Sequence, residues 1–142
     1  MNNDTLADYR VIERVLVDYA TALDSKQYHL LGDVFTADAQ VEYTGIGRCD
    51  GLAEVQALVS RVLDQCAETQ HILSNYCIDI DGDTARARCY LQALHVGKGD
   101  FSGKTMTVWG EYIDELKRLS GSWRIHKRQL RTLHSEGDIG LN

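Results

Sequence analysis

Proline is absent from all 142 residues, so no chain reversal rests on a ring-fixed φ. Glycine must supply the turns and any bulges that curve a sheet. No apolar run approaches the ~20 residues of a bilayer-spanning helix. MNNDTLADYR lacks a basic region followed by an apolar stretch, so it does not read as a secretion signal, and a cytoplasmic protein is expected. Concentrated positive charge is also missing. Lys and Arg number 15 against 21 Asp and Glu, for a net charge of −6. The densest basic stretch, KRQLR, would split between two faces of a strand. Both facts argue against nucleic acid as the main partner. Cys49, Cys66, Cys77 and Cys89 show no CxxC spacing and sit in apolar or strand-like settings, which favours buried, reduced thiols over disulfides. His29, His71, His95, His126 and His134 are scattered, with no HExxH and no accompanying ligand cluster, so no metal is expected. Nor does any motif call for a cofactor.

What is present describes one globular domain over residues 1–142, with 44% apolar and 25% charged residues, long enough to bury a core. Apolar groups at Leu6, Tyr9, Ile12, Leu16, Tyr19 and Leu23, with Val15 and Ala20 beside them, recur in steps of three and four. They predict an amphipathic helix over 6–23. A short helix is expected over 28–35, a strand over 39–43, a turn or bulge over 45–47, and a third helix in GLAEVQALVSRVLDQC, capped by Asp50. From Thr69 the periodicity changes to alternation in four runs, 69–81, 84–96, 105–117 and 122–134, broken by DGD, GKGDFSGK and SGS. Three helices followed by long hairpin-linked strands describe an α+β domain, with helices on one face of a curved antiparallel sheet.

Three polar groups lie in otherwise apolar surroundings. Asp24 closes the first helix at the edge of its apolar stripe. Asp24-Ser25-Lys26-Gln27 also fits a capping box for the next helix, and the two readings are not exclusive. His71 shares strand parity with Leu73 and Cys77, where a histidine is either a hydrogen-bonded core residue or a base with one ring nitrogen free. Arg131 shares parity with Trp123 and Ile125, which points it inward in a regular strand. A bulge would reverse that, and a surface position is the other reading. Together the three could orient an imidazole, move a proton and hold developing negative charge. Tyr19 lies in the helix stripe five residues before Asp24, as core or as a hydroxyl donor. Tyr43, Asn75, Trp109 and Tyr112 are candidate substrate-binding lining.

The segments YATALDSKQYHLLGDVFTADAQVEY, CDGLAEV, TQHILSN, DGDTARARCY, WGEYIDELKR and SGSWRIHKRQLRTLH, in this order over nearly the whole chain, resemble the SnoaL-like branch of the nuclear-transport-factor-2-like superfamily. Within it the chain is similar to the group of bile acid 7α-dehydratase, hexachlorocyclohexane dehydrochlorinase and scytalone dehydratase. The resemblance implies a cone: three N-terminal helices against a strongly curved, mixed but mainly antiparallel sheet that encloses one apolar pocket. It implies an Asp–His dyad at Asp24 and His71, a pocket tyrosine at Tyr19 and a late-strand arginine at Arg131. The activity implied is that of a cofactor-independent lyase or isomerase of dehydratase type, acting on a small, largely apolar cyclic or aromatic substrate. A polyketide-type cyclase or ring isomerase, or a non-catalytic binding module, is the alternative. The resemblance further implies a homo-oligomer, trimer or dimer. It also marks a difference: SEGDIGLN is shorter than the tail that lids the pocket in several relatives.

Overall fold

The computed structural model describes residues 3–142. Its elements are α1 (Asn3–Asp24), a 3-10 helix (Tyr28–Asp33), β1 (Phe35–Tyr43), β2 (Gly47–Asp50), α2 (Leu52–Leu63), β3 (Thr69–Asp81), β4 (Thr84–Val96), β5 (Thr105–Leu119) and β6 (Ser122–Glu136), with a further short 3-10 turn at Gly99–Phe101. The six strands form a curved, open sheet in the order β2-β1-β6-β5-β4-β3. All neighbours are antiparallel except β1 and β6, which run parallel. The helices pack on the inner face, as the nuclear-transport-factor-2-like cone requires. Ile12, Leu16, Tyr19 and Leu23 of α1 are buried there with Val55, Val59 and Leu63 of α2 and the inward residues of the sheet.

Turn chemistry follows composition. The β5–β6 hairpin places both Ser120 (φ 50°) and Gly121 (φ 80°) in left-handed conformations, the pattern whose twist suits a two-residue hairpin. The expected short helix is a 3-10 helix that ends at Asp33 rather than at residue 35, and the chain enters β1 already at Phe35. The expected turn is present at 44–46, and β2, only four residues long, follows it unannounced. Asp50 does not cap α2: Gly51 holds that position at φ 99° without a side-chain cap, while the Asp50 N–H donates to Glu54. Asp24 is likewise no N-cap. Lys26 turns left-handed (φ 56°), and the Gln27 and Lys26 N–H groups donate to the Ala22 and Leu23 carbonyls, ending α1 by a C-terminal cap.

Three of the cysteines are buried as expected, but Cys77 is exposed. The cause is a bulge in β3, where Asn75 and Tyr76 fall between the pairs Ser74–Tyr90 and Cys77–Arg88. Asn75 is left-handed (φ 54°). After this extra residue Tyr76, Ile78 and Ile80 take the inward side, and Cys77 the outward one. A comparable bulge in β6 inserts His126 between the pairs Ile125–Leu116 and Lys127–Glu115. Trp123 and Ile125 are inward before it, Arg128 and Leu130 after it. One extra residue reverses every later side chain.

Candidate active site

Asp24 sits at the last turn of α1, where that helix crosses the start of β3. The cap at Lys26 frees its carboxylate to face the strand. One oxygen accepts from His71 Nδ1 at 2.7 Å and from Thr69 Oγ1 at 3.0 Å, and the other accepts the His71 main-chain N–H at 2.8 Å. Burial alone would push the Asp24 carboxyl up. The ring and main-chain hydrogen bonds from His71, helped by Thr69, outweigh it and leave the group below its usual value. Asp24 is therefore an anion at neutral pH. An anion accepts the proton on Nδ1, which leaves Nε2 as the free lone pair. The His71 side chain is 7% exposed and lines a cavity of about 450 Å³.

That cavity lies between the helices and the inner face of the sheet. Leu23, Leu58, Val59, Val62, Leu91, Val108 and Leu130 contribute apolar wall. At its floor the Tyr19 and Tyr43 hydroxyls meet at 2.7 Å, and the Tyr112 ring stands edge-on to Tyr19 with centroids 5.5 Å apart. Burial raises the pKa of all three phenols, so they remain neutral hydrogen-bond donors. A second depression of about 930 Å³ is open to solvent and lined largely by charged side chains of both signs, including Glu42, Arg48, Asp79, Arg86, Glu115 and Lys127.

Five of the eight candidate residues thus line or adjoin the cavity: Asp24, His71, Tyr19, Tyr43 and Tyr112. Three do not. Arg131 is an exposed residue of β6 paired with Glu111 at 3.2 Å, because the bulge at His126 turned it outward. Asn75 occupies the β3 bulge and is exposed. Trp109 packs on His134, with centroids 5.6 Å apart. Gly110 and Tyr112 face inward, so an odd-numbered neighbour on the same regular strand cannot.

Two residues went unnoticed in the sequence. Arg128, not Arg131, is the inward arginine of β6. It is fully buried and grips Asp114 through two hydrogen bonds of 2.7 and 2.8 Å. Its guanidinium lies 4.2 Å from the Tyr19 ring centre and 3.9 Å from that of Tyr112, and Nη1 has no hydrogen-bond partner among the described residues. Burial works against its charge, and Asp114 more than restores it. Nothing in the sequence marks the bulge that selects Arg128. His95, by contrast, was legible, since it continues the inward alternation of Leu91 and Ala93. It is buried, lines the cavity and stands edge-on to His71 with centroids 5.9 Å apart. Its Nδ1 lies 3.2 Å from the Met106 carbonyl. Burial, reinforced by His71, lowers its pKa.

Comparison with known proteins agrees with this architecture. An uncharacterised protein of Mycobacterium tuberculosis is 33% identical over 129 residues, covering 87% of this chain and 84% of its own. A proposed scytalone dehydratase from Novosphingobium aromaticivorans superposes with a TM-score of 0.88 at 26% identity, over 97% of this chain and 92% of that one. A proposed aromatic ring hydroxylase from the same organism gives a TM-score of 0.84 at 30% identity, over 94% of each chain. Hexachlorocyclohexane dehydrochlorinase of Novosphingobium barchaimii, 21% identical with a TM-score of 0.84 over 96% of this chain and 94% of its own, shares the fold. The sequence profile of the SnoaL-like domain matches residues 4–129, and the chain belongs to that family.

Proposed function

We propose that the protein is a cofactor-independent lyase or isomerase of dehydratase type. The observation that carries this reading is the Asp24–His71 contact at the edge of a largely apolar cavity. His71 takes a proton from substrate carbon through Nε2. Asp24 fixes the ring tautomer and stabilises the imidazolium that results, as a carboxylate does in hydrolase triads. Tyr19, coupled to Tyr43, donates a hydrogen bond to the oxygen or leaving group on which negative charge gathers. Arg128 acts through these rings as a positioning residue. Its charge stacks on Tyr19 and Tyr112 and counters part of the effect of burial on Tyr19, making the hydroxyl a better donor. The substrate is a small, largely apolar cyclic or aromatic molecule, since the walls offer mainly aliphatic surface.

The tyrosine pair favours one second reading: two hydroxyls at one point would polarise a ring carbonyl, which suits a ring isomerase or cyclase using the same base. Hydrogen–deuterium exchange in D2O separates these readings across a panel of cyclic β-hydroxy carbonyl compounds and cyclic enones. Elimination with loss of water supports the dehydratase. Exchange or double-bond migration without a leaving group supports the isomerase. Binding with neither, unchanged in His71→Ala, would reduce the protein to a binding module.

Self-association belongs to the same proposal. Tyr90 and Ile72 are each 50% exposed and Leu133 is 56% exposed. Tyr90 and Ile72 alternate with the inward residues of β4 and β3, an apolar surface on the outer side that a second copy would cover.

A further inference from the structure

An apolar side chain is held in water at the opening of the cavity. Of the large apolar side chains left exposed among the described residues, Ile46 alone lines this space, at 50% exposure. Single exposed apolar residues are ordinary on a protein surface. Ile46 differs in what it faces. The other aliphatic groups of that wall, Leu23, Leu58, Val59, Val62, Leu91 and Leu130 among them, are buried or half-buried.

The turn between β1 and β2 fixes its place. The Ile46 N–H donates to the Tyr43 carbonyl at 2.8 Å, and Gly45 between them is left-handed at φ 81°, where a residue with a side chain would be strained. Gly47 then lies against α2, so close that an added Cβ would stand 2.8 Å from Leu58 Cδ1. A Cβ at Gly45, by contrast, would meet nothing within 4 Å, so the tip of the turn is not packed. The turn starts from Tyr43, whose hydroxyl meets that of Tyr19 at the buried floor. The stretch from Tyr43 to Gly47 therefore supplies both ends of the cavity, a hydroxyl at the bottom and an aliphatic group at the opening.

We propose that Ile46 is a specificity-determining residue, and that the substrate lies with its oxygen inward at Tyr19 and Tyr43 and with an apolar end outward that covers Ile46. The inference rests on reading this cavity as a substrate site. Burying the exposed half of an isoleucine against a ligand is favourable when the ligand offers apolar surface there. A charged or strongly hydrated group at that end would give up water against a side chain that makes no hydrogen bond. The substrate class narrows accordingly, to a cyclic compound with an oxygenated edge and, on the opposite edge, an alkyl substituent or further hydrocarbon. Its apolar end also closes the opening to water, which keeps solvent from the His71 ring.

The test measures, by titration calorimetry, the binding of para-alkylphenols of increasing chain length and of the matching para-hydroxyphenylalkanoates. In the wild-type protein affinity should climb with chain length, and the alkyl series should bind more tightly than the acids. Ile46→Ser should remove the gain from the longer chains, a loss of about three- to tenfold, and bind the short phenols as before. Ile46→Leu should keep the gain. The side chain is exposed, so neither substitution touches the core, and unchanged affinity for the short phenols checks this. An equal gain with chain length in Ile46→Ser, or a loss spread evenly over short and long chains, would overturn the proposal. So would binding of no phenol at all. Tighter binding of the acids would do the same, by giving the opening to Arg61 of α2, an exposed cation in the same lining. No arm reads turnover. Long-chain phenols that lose affinity in Ile46→Ser, in a protein that turns nothing over, leave this inference standing and refute the base role of His71. Turnover that needs His71, in a protein whose binding is blind to Ile46, does the reverse.

Discussion

The contact between Asp24 and His71 makes a clear demand on single substitutions. His71→Ala should abolish turnover while leaving ligand affinity within about tenfold, because proton abstraction is realised only in the transition state. Asp24→Asn should cut the rate by at least about a hundredfold, since the amide no longer fixes the tautomer or stabilises an imidazolium. The kinetics of both variants, beside their melting temperatures, check this. An Asp24→Asn protein of normal activity would reduce the carboxylate to a strut for β3. His95 makes a second demand. Its folded-state pKa lies below the ordinary 6.5, so the unfolded chain binds a proton that the folded protein resists. The stability is fully present above about pH 6.5 and is lost as pH falls through the folded value. His126 is shifted the same way, chiefly by burial and then by Lys117. Urea unfolding from about pH 7.5 to about pH 5 should show the loss, and His95→Gln should flatten part of it. At this scale the sequence was informative wherever residue type and apolar spacing agreed, as for Tyr19, Asp24 and His71.

Elements are where that agreement broke. The parity that pointed Arg131 inward was right as far as Ile125, and one inserted residue, His126, handed the inward place to Arg128. Bulges carry little local signature when the extra residue is neither glycine nor asparagine. Asn75, left-handed in the β3 bulge, was a turn-type residue read as a pocket residue. Two measurements probe these strands. Arg128→Met leaves Asp114 buried without its partner and should cost about 3–5 kcal/mol, whereas Arg128→Met with Asp114→Leu should recover most of that, because a well-packed apolar pair replaces a buried ion pair at little loss. Gly110 lies beside the second irregularity of the β5–β6 ladder, where an added Cβ would stand 2.5 Å from the Arg131 carbonyl oxygen. Gly110→Ala should therefore destabilise the protein by about 1–3 kcal/mol, read by chemical denaturation.

For the whole molecule, alternation in the C-terminal half and the helical stripe in the N-terminal half together defined an α+β domain with its helices on one face. What they left open was how the two halves join. β1 is too short in its apolar run to announce that it pairs with β6, and parallel pairing across so long a stretch of chain leaves no local trace. Light scattering at micromolar concentration should find a homo-oligomer, and charge introduced by Tyr90→Glu on the outer face should dissociate it. A monomeric wild-type protein would refute that. The place of β6 has one more consequence. It is the last strand of the sheet along the chain, yet it lies in the middle, between β1 and β5. While the chain is being synthesised, β2-β1 and β5-β4-β3 are two separate fragments with facing unpaired edges, and nothing but β6 can close them. Long-range pairing of this kind comes late and slowly. Tyr43 then stands on one fragment and Tyr112 on the other until Arg128 arrives against the Tyr112 ring, so the floor of the cavity is assembled only in the last step.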